Sequence, residues 1–222
     1  MVNHRSPIGR ICNERSRVPD RMTPPTTFID ALDRERTALA NATQRGIGMP
    51  IAGMLFWLAM AWLLRAYEPH RAMPLAFFLT GAVFPLGAAL TRFARGDLFF
   101  KSPGLTPLGM QLAALQLFFW PIIILIWRLA PEWTPWTMAI LFGSHFLGYY
   151  WLYGSKAYAF LSVSVAVSLT VLAAVTRSAM PTVVPLITAG CYAISVVLLW
   201  RENRQRWRSH LGQRHDEQLQ IL

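Results

Sequence analysis

The sequence predicts an all-α, polytopic integral membrane protein: a six-helix transmembrane bundle with both termini in the cytoplasm. Three observations carry this. Only 14% of the 222 residues are charged, whereas a soluble domain carries about a quarter. The charges crowd into the tails and short connections, leaving apolar runs of roughly 18 to 21 residues, enough to cross a hydrocarbon core of about 30 Å. The basic residues are also one-sided. With both ends inside, the inner segments hold 17 Lys and Arg: eight ahead of Ile47, three at Arg92, Arg95 and Lys101, one at Lys156 and five after Trp200. The outer segments hold four, at Arg65, Arg71, Arg128 and Arg177. Positive flanks stay cytoplasmic, which sets the orientation. An excess of 19 Arg over 2 Lys fits a GC-rich bacterial genome, so the expected location is a bacterial inner (cytoplasmic) membrane.

Residues 1–46 form a polar cytoplasmic tail. Arg5, Arg10, Arg15, Arg17 and Arg21 precede the pair Pro24-Pro25, with no apolar stretch of the kind a cleaved signal peptide needs. The first 21 residues are expected to be disordered, and Met22 is an alternative start. Over 27–44, Phe28, Ile29, Leu32 and Leu39 recur near helical spacing among Asp30, Asp33, Arg34, Glu35 and Arg36. Thr27 is placed to cap that helix. It is either a solvated lead-in or an amphipathic helix lying on the cytoplasmic leaflet.

Six spans follow, at 47–65, 72–91, 108–127, 134–153, 157–176 and 180–200. Backbone in lipid must pair within its own segment, so each is expected to be helical. Pro50, Pro74, Pro107, Pro135 and Pro181 lie near span ends, where a missing N–H costs little. Pro85, Pro121 and Pro185 lie deeper and predict kinks in spans two, three and six. Trp127, Trp133 and Trp136 bracket the second outer loop; Tyr149, Tyr150, Trp151, Tyr153 and Tyr158 bracket the inner turn, as interfacial rings should. Residues 201–222 form a basic cytoplasmic tail. It opens Arg201-Glu-Asn-Arg-Gln-Arg-Trp-Arg208, a continuation of helix six that would attract anionic lipid at about 1 kcal/mol per basic residue, although a stop-transfer flank is sufficient to account for it.

An internal echo runs through the first four spans. Phe56-Trp57 and Arg65 recur 63 positions later as Phe119-Trp120 and Arg128; Leu79, Gly81 and Phe84 recur 62 later as Leu141, Gly143 and Phe146. A true duplication would superpose spans one and two on three and four about the membrane normal.

A net charge of +10 would suit nucleic acid, but the arginines flank apolar spans instead of forming a face with interleaved aromatics, so nucleic acid is not an expected partner. The expected partners are the bilayer, anionic lipid at the basic flanks, and another subunit in a homo- or hetero-oligomer. Cys12 and Cys191, one in a polar tail and one in an apolar run, make no disulfide framework. No HExxH, GxSxG, phosphate loop or carboxylate pair occurs, and no Asp or Glu lies inside a span. No catalytic residue, metal site or cofactor is assigned.

The chemistry narrows to His145, near the middle of span four. A charged imidazole there is costly, so it should be neutral and face the bundle interior. One reading makes it a proton relay or a ligand contact. The other makes it an interhelical hydrogen bond worth about 0.5 to 2 kcal/mol. A metal is disfavoured because one histidine without a carboxylate cannot fill a coordination shell. Gln111 and Gln116 of span three are the partners of suitable type; five residues apart, they point about 140° away from each other, so one at most faces His145. Gly143, Ser144 and Gly148 leave room for a neighbouring helix, and Tyr149 is the nearest ionisable group. The candidates for handling a ligand or proton are therefore His145, Gln111, Gln116, Ser144 and Tyr149.

These residues also carry a resemblance. Phe84-Pro-Leu-Gly87, Gln116-Leu-Phe-Phe-Trp-Pro121, Pro131-Glu-Trp133 and Leu141-Phe-Gly-Ser-His-Phe146, with Tyr149, Trp151, Tyr153, Ser155 and Ala157-Tyr158, resemble a family of small multi-spanning bacterial membrane proteins known only as a domain of unknown function. The resemblance covers about 47–176. It implies the same helical membrane fold and brings no activity or site. Two functions remain in view: a non-enzymatic membrane protein (small-solute permease, sensor or accessory subunit), or an intramembrane enzyme using His145 as acid or base. The second needs another ionisable group beside the histidine, with Tyr149, Tyr150 and Cys191 on offer.

Overall fold

A computed structural model describes residues 27–176 and 180–220. The expectations for residues 1–21, and the outer position of Arg177, fall outside the described residues. Helix α1 (Phe28–Ala42) starts at a capping box: Asp30 N–H donates to the Thr27 hydroxyl (3.3 Å) and Thr27 N–H to the Asp30 carboxylate (3.1 Å). The chain then turns through three successive left-handed residues, Gln44, Arg45 and Gly46, with φ of 50°, 52° and 60°. Glycine takes that conformation freely, whereas Gln44 and Arg45 cost about 1 to 2 kcal/mol each. Something must therefore hold this turn.

It delivers the chain into α2 (Gly48–Ala66), followed by α3 (Pro69–Phe93). These two cross tightly at Gly48, whose N–H donates to the Thr91 hydroxyl (3.2 Å). A Cβ there would lie 2.2 Å from the Gly87 carbonyl oxygen, so no larger residue fits. Next come α4 (Leu105–Ala114) and α5 (Trp120–Leu129), joined by a 3-10 segment, Leu115–Phe119. A short 3-10 turn, Pro131–Trp133, leads to α6 (Thr134–Ser144), α7 (Phe146–Tyr153) and α8 (Lys156–Val175). The last helix, α9 (Met180–Gln220), has 41 residues. At 1.5 Å per residue it is about 60 Å long, so much of it projects beyond any bilayer core.

Among the described residues, five helical stretches are long and apolar enough to cross a membrane: Gln44–Ala66, Pro69–Phe93, Leu105–Leu129, Lys156–Val175 and Pro181–Arg206. The core is built on the first, which packs against α3 and α9 and buries Phe56, Trp57, Met60 and Leu64. Of its most apolar window 61% is buried, against 6% for Leu105–Leu129, which therefore lies at the edge of the bundle.

Span four corrects the expectation of one continuous helix over 134–153. It is two helices separated by a turn at His145. Two side chains explain the break. The Ser144 hydroxyl donates to the Leu141 carbonyl (3.0 Å), and His145 Nδ1 lies 2.5 Å from the Phe142 carbonyl oxygen. The Leu141 carbonyl shares its oxygen between Ser144 and a long ladder bond from His145 N–H (3.4 Å), and the Phe142 carbonyl is the acceptor the next ladder bond would use. Span three is interrupted for another reason. Pro121 has no N–H to offer the Leu117 carbonyl, which takes the Trp120 N–H instead, in a tighter turn. Helices α3 and α9 continue through Pro85 and Pro185.

The echo between spans finds no match in the surroundings of its residues. Gly81 has nothing within 4 Å of where a Cβ would sit, while Gly143 is pressed on Val165 of α8. Trp57 is buried and Trp120 only half-buried.

Candidate functional site

His145 is 8% exposed and sits where both interruptions meet. Its Nε2 is 2.6 Å from Gln116 Nε2, in the 3-10 segment of span three. The tautomer follows from the partners. The Phe142 carbonyl can only accept, so Nδ1 carries the proton and donates to it, leaving Nε2 to accept from the Gln116 amide. A neutral imidazole is thereby satisfied on both sides, once within its own helix and once across to the neighbour.

Gln116 is the glutamine that meets His145; Gln111 lies exposed on the bundle surface. Ser144 is also exposed, its hydroxyl spent on Leu141. Tyr149 stands edge-on to the His145 ring, centroids 5.7 Å apart, and donates its hydroxyl to the Gly109 carbonyl (3.3 Å), tying α7 to α4. Gly148 admits Leu112 of α4 so closely that a Cβ would be 2.5 Å from it. Cys191 packs beside the Ser168 hydroxyl, 4.0 Å away, and Tyr150 is exposed. Among the described residues no three His, Cys, Asp or Glu side chains gather as a metal site would require.

From His145 a column of rings descends toward the arginine-rich end. Phe146 lies 4.2 Å from the imidazole and stacks on Tyr158 (5.6 Å, 6° between planes), which also contacts Tyr149 and Tyr153. The Tyr158 hydroxyl donates to the Arg45 carbonyl at 2.5 Å. That bond opens onto a second polar centre, which the sequence reading missed.

Arg45, 2% exposed, pairs with Glu202 of α9 (Nε to Oε2, 3.6 Å) and donates to Asn203. Asn203 donates back to the Gln44 carbonyl (3.0 Å). The same Glu202 carboxylate accepts from the Ser155 hydroxyl (2.7 Å) and the Ala157 N–H (3.2 Å), capping α8. This cluster holds the strained left-handed turn to α9 and to the α7–α8 connection. One signal was available. Glu202 is the only carboxylate between Glu132 and Asp216, and it stands alone among arginines where the last span ends.

Helix α1 is docked at the same end. Glu35 accepts from the Ser102 hydroxyl and from Gly104 N–H (3.1 Å), and these bonds, the hydroxyl foremost, hold its carboxyl below the usual range. Arg36 pairs with Asp33 (3.1 Å), donates to the Trp151 carbonyl and lies over the Trp151 ring at 4.8 Å.

The fold and these centres define an all-helical membrane protein with a buried histidine–amide pair and a polar clamp at one end. The chain belongs to DUF7010, a family of unknown function whose model matches residues 32–202. That range takes in α1 from Leu32 and α9 as far as Glu202, both outside the 47–176 over which the resemblance was read. No curated protein and no solved structure matches the chain.

Proposed function

We propose that the chain is a non-enzymatic protein of the bacterial inner membrane, a sensor or accessory subunit, in which the His145–Gln116 pair is a hinge between two interrupted spans. The broken α6–α7 pair then counts as the sixth crossing, with both termini cytoplasmic. The observation that carries this reading is the meeting of a 3-10 segment in span three with the turn in span four, at one hydrogen bond. Mid-helix 3-10 segments often mark hinges. The column from Phe146 to Tyr158 gives a movement there a packed route to the Arg45–Glu202 clamp. His145 bonds to an amide and a backbone carbonyl, neither of which exchanges protons readily, so an acid–base role draws no support from its neighbours.

The test is a distance measurement. Spin labels at the exposed Glu132 and Lys156 bracket α6 and α7. In His145→Leu the side chain no longer competes for the Phe142 carbonyl, so α6 and α7 should join and the label separation should shift and narrow. An unchanged distance distribution would remove the hinge. A small-solute permease is the second reading, favoured because discontinuous helices form the binding sites of many transporters. It requires solute flux in proteoliposomes that Gln116→Leu abolishes.

A further inference from the structure

Span three, at the edge of the bundle, leaves one face bare. On α4, Pro107, Gln111 and Ala114 follow at steps of four and three, which keeps them on one side of the helix, and all three are exposed. Further along, Phe118, Ile122 and Leu125 are exposed as well. We propose that this face joins two copies of the chain as a symmetric dimer, with the two Gln111 amides hydrogen-bonded to each other.

The depth of Gln111 selects the occupant. The stretch Leu105–Leu129 has 25 residues. At 1.5 Å per residue that is about 37 Å, which overhangs a hydrocarbon core of about 30 Å by about 4 Å at each end. Gln111 lies about 9 Å along the span from Leu105 and so falls inside that core. Gln116 is half-buried and spent on His145, whereas Gln111 makes no hydrogen bond among the described residues. Facing lipid, its amide would have neither water nor a protein group to pair with, which is costly in hydrocarbon. Two copies inserted in the same sense are related by an axis along the membrane normal, which sets the same residue of each at the same depth. A primary amide both donates and accepts, so the two side chains can exchange N–H···O bonds reciprocally. An unrelated protein would need a polar group at that one depth, and a second copy brings it by construction. Ala114, about one turn further in, is small enough to let the two helices approach closely. A single polar side chain in an otherwise apolar contact also fixes its register.

The experiment uses the full chain reconstituted in phospholipid bilayers. Cys12→Ser removes the tail thiol, and Cys191 stays because it is buried. Energy transfer between donor- and acceptor-labelled copies, followed over a range of protein-to-lipid ratios, gives the dimer dissociation constant. Oxidative crosslinking reads the face, with Ala114→Cys on the proposed contact and Val163→Cys, an exposed position of α8, as the control. Gln111→Leu breaks no hydrogen bond among the described residues and suits lipid, so the monomer should fold as before. The expected result is a dimer that crosslinks through Ala114→Cys and not through Val163→Cys, with a dissociation constant that rises about tenfold in Gln111→Leu. Monomers at every ratio, a dimer that does not crosslink through Ala114→Cys or does so equally through Val163→Cys, or an unchanged dissociation constant in Gln111→Leu would overturn it.

Discussion

Arg45 sets a backbone cost against a side-chain gain, and two substitutions separate them. Arg45→Ala keeps a left-handed residue that disfavours the turn and removes the partner of Glu202. Stripping one member from a buried ion pair costs about 3 to 5 kcal/mol; Glu202 is a quarter exposed, so the lower end applies. Arg45→Gly loses the same contacts but relieves the left-handed strain of about 1 to 2 kcal/mol. The glycine variant should therefore unfold at a higher temperature than the alanine variant, with both below the parent protein. An alanine variant as stable as the glycine variant would mean that the turn carries no strain. His145→Leu should cost little by comparison, because an interhelical bond worth about 0.5 to 2 kcal/mol is exchanged for apolar packing. Of these two centres the sequence pointed to one, naming His145 with Gln111 and Gln116 as partners of suitable type. A histidine in an apolar run is conspicuous on its own, and residue type pointed to glutamine. Arg45 and Asn203 lie 158 positions apart, and each reads locally as an ordinary charged flank.

At the scale of elements, the apolar lengths that mark the spans come directly from composition, while their interruptions come from choices that composition does not record. Residues 134–153 show no proline past Pro135, and the break at His145 depends on two side chains turning back onto carbonyls. Pro121 did signal a disturbance in span three, and the structure places a 3-10 segment immediately before it. Helix α1 offers an element-scale test. Its attachment through Glu35 needs the ionised carboxylate, whose pKa is lowered in the fold from an ordinary 4.5. That contribution is fully present above the ordinary value and is lost as pH falls through the lower, folded one. A spin label at the exposed Ala38 should be ordered at neutral pH and become mobile only as pH falls below the ordinary 4.5 and through the lower folded value, and in Glu35→Gln this transition should vanish. The same acid transition in the glutamine variant would place the attachment elsewhere.

At the scale of the molecule, contacts sort the connections by end. Ala42 accepts from Asp97 N–H (2.8 Å), Glu35 meets Ser102, Arg36 meets Trp151, and Arg45 meets Glu202. These contacts gather residues 35–45, 97–104, 151–157 and 202–203 at one end. His70 stacks on Trp127 (5.7 Å) away from these groups, where α3 begins and α5 ends. On the proposed six-span reading, a chain that leaves the first end at 46 and returns by 94 crosses twice, and so do the stretches from 104 to 151 and from 157 to 202. The middle interval contains one stretch long and apolar enough to cross, Leu105–Leu129, and on the proposed reading α6 and α7 together make its return. The gathered end also carries Arg36, Arg45, Lys101, Lys156 and Arg206, the side expected to stay in the cytoplasm. Reporter fusions after Leu222 and within residues 94–104 should therefore both read cytoplasmic, and a fusion at Pro131 periplasmic. The Pro131 fusion is the discriminating one. If α6 and α7 fold back as a re-entrant pair, residues 130–133 still lie outside but 154–156 should also read periplasmic. A fusion at Gly154 that reads cytoplasmic while Pro131 reads periplasmic requires the full crossing, and any other pairing of those two results removes it.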